Sequence, residues 1–166
     1  MELVDKFNNK RYYLNKSSDR YEKTEGEYMQ SVHTWILNSN GEFLIQKRSH
    51  NKRNYPDMWS QTGGAVDSGE LPIDAALREC REELGIDFLK ENTELLLSFK
   101  RTYDFIDVFL IKADFDISDL TLQKEEVQDA KWIQPDKLRE MINDNLVTPS
   151  IGLYFDMMLK LIKYDK

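Results

Sequence analysis

Glu79, Glu82 and Glu83 stand close together, with Arg78 and Arg81 among them, in the stretch from Gly64 to Ile86, GAVDSGELPIDAALRECREELGI. At 100° per residue a helix sets these three carboxylates on an arc of roughly 100°. Ile73, Ala76, Leu77, Cys80 and Leu84 recur at i, i+3, i+4, i+7 and i+11, the apolar stripe that seats the same helix on a core. The acidic face is therefore expected to point away from the body, toward a cleft or solvent. Like charges at i and i+4, as in Glu79 and Glu83, destabilise a helix by about 0.2–0.5 kcal/mol, and a bound divalent cation would offset that. A solvated charged face is the commoner fate of a Glu-rich helix. Here Gly63 and Gly64 precede the helix and Gly69-Glu70 lies just before it, so a tight loop brings backbone carbonyls and another carboxylate to its start. Mg²⁺ takes oxygen ligands and keeps several waters, to be shared with substrate phosphates. The chemistry indicated is metal-dependent and acts on phosphates.

The spacing resembles a known signature. Gly64, Glu70, Arg78, Glu79, Cys80, Glu82, Glu83, Gly85 and Ile86 fall in register with the Nudix box. Cys80 occupies a position more often aliphatic, and a buried Cys behaves as a small hydrophobe. The resemblance implies an α/β/α sandwich around a mixed β-sheet. It also implies that Arg78 and Glu70 pair to orient loop and helix, and that Glu79, Glu82 and Glu83 bind Mg²⁺ or Mn²⁺, with the carbonyl of Gly63 or Gly64 completing the shell. Glu79 is one candidate for the base that activates water. The other is Glu126, because many members supply an acidic residue from the loop before a late Trp-containing strand, and Glu125-Glu126 precedes Trp132.

The run QKRSHNKR gathers Lys47, Arg48, Lys52 and Arg53 in an otherwise acidic protein. Beside a metal cleft such cations would hold substrate phosphates, Arg as a fork and Lys as a point charge. As a plain solvated loop they would have no role. The activity expected is hydrolysis of a phosphoanhydride in a nucleoside diphosphate derivative or related small diphosphate, in which the cation neutralises charge on phosphate oxygens and lowers the pKa of water.

Two other readings belong to different classes. The run GEYMQSVHTWILNSNGEFLIQKRS with PDMW is also similar to type I isopentenyl-diphosphate isomerase, a branch of the same fold. That enzyme relies on a Cys before the box and several His ligands. This chain has glycines there, a single Cys within the helix, and only His33 and His50. A noncatalytic ligand-binding module is the other reading, and degenerate modules usually lose the glutamates that are present here.

The remaining elements must carry this site. Residues 1–27 read as an appended hairpin, with apolar clusters at Leu3-Val4 and Tyr12-Leu14 around the turn Asn8-Arg11, followed by a polar loop. Tyr28 to Leu37 and Glu42 to Arg48 form a β-hairpin across Asn38-Gly41. Ser60 to Thr62 is a short extended run. Thr93 to Asp104 and Ile106 to Ala113 are antiparallel core strands with a turn near Asp104. A polar loop spans Asp114 to Lys124, Ala130 to Ile133 is another strand, and Pro135 opens a helix. Ser150 to Tyr164 is a helix packed through Leu153, Met157, Met158 and Leu159 to Ile162.

At 166 residues one domain with a sizeable core is expected across residues 1–166. A net charge of −7 disfavours duplex nucleic acid, which needs a basic footprint. The single Cys, the absence of an apolar leader and the lack of 18 consecutive apolar residues point to a cytoplasmic protein off the membrane. A homodimer is compatible with these features.

Overall fold

The computed structural model describes residues 27–164 and two short strands before them, β1 (Leu3–Val4) and β2 (Lys10–Arg11). The chain continues through β3 (Tyr28–Leu37), β4 (Phe43–Arg48), β5 (Trp59–Ser60), β6 (Thr62–Ala65), α1 (Pro72–Leu84), β7 (Thr93–Lys100), β8 (Asp104–Lys112), β9 (Val127–Ile133), α2 (Pro135–Asn143), α3 (Pro149–Gly152) and α4 (Phe155–Tyr164).

β3 is the spine. Its β-branched and aromatic residues pair in parallel with β8 along almost their whole length, from Met29↔Asp104 to Leu37↔Lys112. Its other edge is shared: β1 pairs at Tyr28 and Met29, and β6 pairs antiparallel from Ser31↔Ala65 to Thr34↔Thr62. At Leu37↔Phe43 the chain turns into β4, which diverges to pair antiparallel with β9 and β5. β7 lies antiparallel outside β8.

Alternation along β3 distributes side chains to two layers. Val32 and Ile36 face α1, where they meet Ala75, Ala76, Leu77, Cys80 and Leu84. Trp35 faces the other way, packing with Phe43, Ile106 and Val108 against Leu138, Ile151, Tyr154, Phe155 and Met158 of α2–α4 and the link between α3 and α4. This is the expected sandwich, with α1 alone on one side and the site-bearing loop at its entry.

Several elements depart from expectation. Leu3-Val4 pairs with Lys10-Arg11, the basic residues expected in the turn, while Tyr12-Leu14 lie outside the described residues. The extended run near Ser60 is two strands on different partners, β5 on β4 and β6 on β3, separated by Gln61. The turn after β7 falls at residues 101–103, so Asp104 opens β8, buried and bonded to Arg101. The polar loop contains a 3₁₀ turn, Ile117–Asp119. The C-terminal helix is two helices, and Leu153 and Met157 are exposed at 66% and 58%. The phase that packs is Ile151, Tyr154, Phe155 and Met158, so an aromatic ring with a polar tip fills a core position that the Leu-Met count passed over. No helix among the described residues is long and apolar enough to cross a membrane.

Candidate active site

Pro72, with its fixed φ and missing N–H, starts α1 at little cost, and Gly85 ends it at φ 71° with its N–H donating to Arg81 O. The helix is thereby delimited with Arg78 and three glutamates on its last two turns. Arg78 is the hub. Its Nε donates to Glu70 Oε1 at 2.9 Å, its Nη2 to Glu70 Oε2 at 3.1 Å and to the Ala65 carbonyl at 3.0 Å. Its Nη1 donates to Glu79 Oε1 at 2.8 Å and Glu82 Oε2 at 3.2 Å. The Glu70 contacts raise the guanidinium's pKa further. Burial works against ionisation of Glu70, but Arg78 and the Asp67 N–H outweigh it and hold that carboxyl below its ordinary value. Loop, strand β6 and helix are thus tied by one side chain, as the box resemblance implied for Arg78 and Glu70.

Glu83 corrects the expectation of an outward acidic face: it is buried, 6% exposed, beneath the sheet edge. Gln46 Nε2 donates to its Oε2 at 2.7 Å, and Thr62 Oγ1 donates to Gln46 Oε1 at 3.0 Å. Burial pushes the Glu83 carboxyl up to about 8, against the pull of the Gln46 hydrogen bond. Burial also raises Glu79, against the pull of Arg78. Only Glu82 lies half exposed among the three. Mutual repulsion is correspondingly weaker than the sequence suggested, because Arg78 sits between Glu79 and Glu82.

Glu126 comes to the same place from the loop before β9. Its N–H donates to Gln123 O at 2.9 Å, its carbonyl accepts from the Ser49 N–H at 2.8 Å, and Gln123 N–H donates to the Glu83 carbonyl at 3.1 Å. Its carboxylate pairs with Lys52. Arg48 reaches the carbonyls of Asn54 and Tyr55 and so orders the basic loop. One cleft of about 730 Å³ is lined by Arg48, Lys52, Arg53, Gly63, Gly64, Arg78, Glu79, Glu82, Glu83 and Glu126, so the residues expected to hold metal, phosphate or water converge there, with Glu70 behind Arg78.

Among the described residues no three His, Cys, Asp or Glu side chains form a ready metal-binding cluster, since Arg78 and Gln46 engage the helix carboxylates. The donors are nonetheless all oxygen, as a hard divalent cation requires. The Gly64 backbone lies so close to Glu79 that a Cβ there would come within 2.3 Å of Oε1. Only glycine leaves room for that carboxylate beside the main chain. Cys80 is fully buried and burial raises its thiol pKa, consistent with a packing role. Sequence reasoning missed Gln46 as a site residue. Its signal is a polar side chain, 3% exposed, following the buried run Phe43-Leu44-Ile45.

A second cavity of about 890 Å³ adjoins the cleft on the α2–α4 side of the sheet, sharing Arg48, Asn54, Gly63 and Gly64 with it.

Comparison with known proteins identifies the family. The NUDIX domain model matches residues 27–150. An uncharacterised Nudix hydrolase of Listeria innocua is 38% identical over 143 residues, covering 85% of each chain. A nucleoside triphosphatase of Escherichia coli, NudI, is 32% identical over 113 residues, covering 62% of this chain and 80% of its own. The crystal structure of DR0079 from Deinococcus radiodurans superimposes with a TM-score of 0.73 at 24% identity, covering 89% of this chain and 90% of that one, a likeness of fold. By the family match across residues 27–150 and the identity to its Listeria relative, the chain belongs to the Nudix hydrolase family.

Proposed function

We propose that this hydrolase cleaves a phosphoanhydride bond in a nucleoside diphosphate derivative or related small diphosphate, and that it uses Mg²⁺ or Mn²⁺. The observation that carries the reading is the convergence of Glu79, Glu82, Glu83 and Glu126 with Arg48, Lys52 and Arg53 in one cleft. Glu79, Glu82 and Glu83, with a carbonyl of Gly63 or Gly64, would hold the cation. When bound, the cation supplies charge neutralisation at the phosphate oxygens and a more acidic water. Arg48, Lys52 and Arg53, which line the same cleft, bind phosphate oxygens. Glu79 or Glu126 takes the proton from the attacking water; burial raises Glu79 toward the basicity the task needs. Arg78 holds Glu79 in place.

The nucleoside triphosphatase among the relatives supports a nucleotide substrate. Hydrolysis is favoured over isomerase chemistry because Cys80 is buried on the apolar stripe, while His33 is buried on the far side of the sheet and His50 pairs with Asp57 in an exposed loop. The test is a screen of nucleoside di- and triphosphates, nucleotide sugars, dinucleotides and prenyl diphosphates with each metal, reading released phosphate, monophosphate and isomer. Glu79→Gln should lower the rate on the substrate found by about two to four orders of magnitude, the scale for a positioned acid or base. Wild-type turnover in a folded Glu79→Gln variant would remove that residue from the mechanism.

A further inference from the structure

β3 sends Ser31 and His33 to the wall of the second cavity, with Trp35 deeper on the same face. His33 is 8% exposed, and its Nδ1 lies 2.8 Å from Tyr154 Oη. Trp35 Nε1 lies 2.9 Å from the same oxygen. An indole nitrogen can only donate, so Tyr154 Oη accepts from Trp35, and as the hydroxyl has no other acceptor among the described residues it gives its own single proton to the imidazole. Nδ1 is then the acceptor, which places the ring proton on Nε2. Burial, helped by the Arg101 charge, takes His33 down to about 3, and the ring is neutral. Among the described residues no acceptor is bonded to Nε2. Ser60 and Gln61 also line the cavity, but their unpaired Oγ and Oε1 are closed off from it. Polar groups shielded from bulk water are normally paired, and Nε2 is not among the unpaired atoms closed off from solvent, so an unmet N–H opening on the cavity marks the place of a ligand acceptor.

We propose that His33 is a specificity-determining residue whose Nε2–H donates to an acceptor on the non-phosphate half of the substrate, with Tyr154 as the positioning residue that fixes the tautomer. The inference rests on the hydrolase reading of the adjoining cleft. A diphosphate held beside Gly63 and Gly64 continues into this cavity across their shared wall. The moiety selected is a nucleobase, whose carbonyl oxygens and ring nitrogens accept from the Nε2–H. Tyr55, 50% exposed and lining the same cavity, offers a ring face for stacking. A hydrocarbon chain would leave the Nε2–H unmet.

The test uses ¹⁵N-labelled protein in EDTA, so that binding is read without turnover. Nitrogen shifts of His33 should report the Nε2–H tautomer, and adding UDP or ADP at millimolar levels should move that resonance while geranyl diphosphate leaves it in place. His33→Leu should weaken nucleotide binding about tenfold, the scale of one hydrogen bond, without changing affinity for geranyl diphosphate. His33→Gln, whose amide reaches the Nε2 position, should restore it, and Tyr154→Phe should shift the tautomer mixture toward Nδ1–H. An Nδ1–H tautomer in the wild type, failure of both nucleotides to bind, or an equal loss for nucleotide and geranyl diphosphate in a folded His33→Leu variant would overturn the proposal. If Mg²⁺ or Mn²⁺ elicits no hydrolysis of any diphosphate, the hydrolase reading falls alone, because the tautomer and the nucleotide titration are measured independently of it.

Discussion

Arg78 holds Glu70, Glu79, Glu82 and the Ala65 carbonyl through one guanidinium, so the geometry of the helix carboxylates depends on a planar fork and not merely on a positive charge. Arg78→Lys keeps the charge and loses the fork. Urea unfolding of that variant should show a loss of about 1 kcal/mol, the worth of one net hydrogen bond, with a lower rate as Glu79 loosens. An unchanged midpoint and rate would show that charge alone suffices. His33 makes a different kind of contribution. Its folded pKa of about 3 lies below the ordinary 6.5, so between those values the unfolded chain binds a proton that the native chain does not. Stability therefore rises with pH across this window and is lost as the pH falls from about 6.5 toward 3. Melting temperatures between pH 7 and 5 should fall more steeply in the wild type than in His33→Gln, which has nothing to titrate there. Parallel slopes would mean that His33 binds its proton equally well in the native and unfolded chains.

β6 shows why two neighbouring glycines in an extended strand are not equivalent. A Cβ on Gly63 would come within 2.2 Å of the Val32 carbonyl oxygen, an atom of the spine strand, whereas a Cβ on Gly64 meets the end of the Glu79 side chain. Backbone cannot yield cheaply and a carboxylate can rotate away. Gly63→Ala should thus cost more than about 2 kcal/mol, in the range of overpacked core substitutions, as β6 parts from β3. Gly64→Ala should keep most of the wild-type stability and lose activity through a displaced Glu79. The reverse order of melting temperatures would contradict the packing. The same strand marks the limit of what periodicity discloses. The box fixed Glu70, Arg78 and Glu79 in sequence because their partners lie within one loop and one helix. Glu83 was misplaced because its cover is Gln46, 37 residues away on another strand. His33 could not be read as a site residue, since its tautomer depends on Tyr154, 121 residues later. The C-terminal helices were mis-phased because Tyr154 and Phe155 compete with Leu153 and Met157 for the same stripe, and only the sheet opposite decides between them.

Across the whole molecule, the acidic cleft couples ligand binding to folding. Glu83 is buried and Glu79 mostly so, and both carboxyls are raised above their ordinary values by that burial. A divalent cation held only by the native state stabilises it by RT ln(1 + [L]/Kd), about 1.4 kcal/mol at ten times Kd. For a chain of this size that corresponds to a rise in melting temperature of about 2–4 °C per kcal/mol. Mg²⁺ or Mn²⁺ at millimolar levels should produce the rise, and NaCl at matched ionic strength, which only screens, should not. Because Arg78 already compensates Glu79 and Glu82 in the resting protein, Glu82→Gln should leave stability without metal nearly unchanged, yet shrink the metal-dependent gain. Glu83→Gln should keep the Gln46 hydrogen bond, raise stability without metal by removing a carboxyl whose ionisation burial opposes, and shrink the gain as well. An equal metal-induced shift in the wild type and both variants would place the cation elsewhere and return the helix face to a purely structural role.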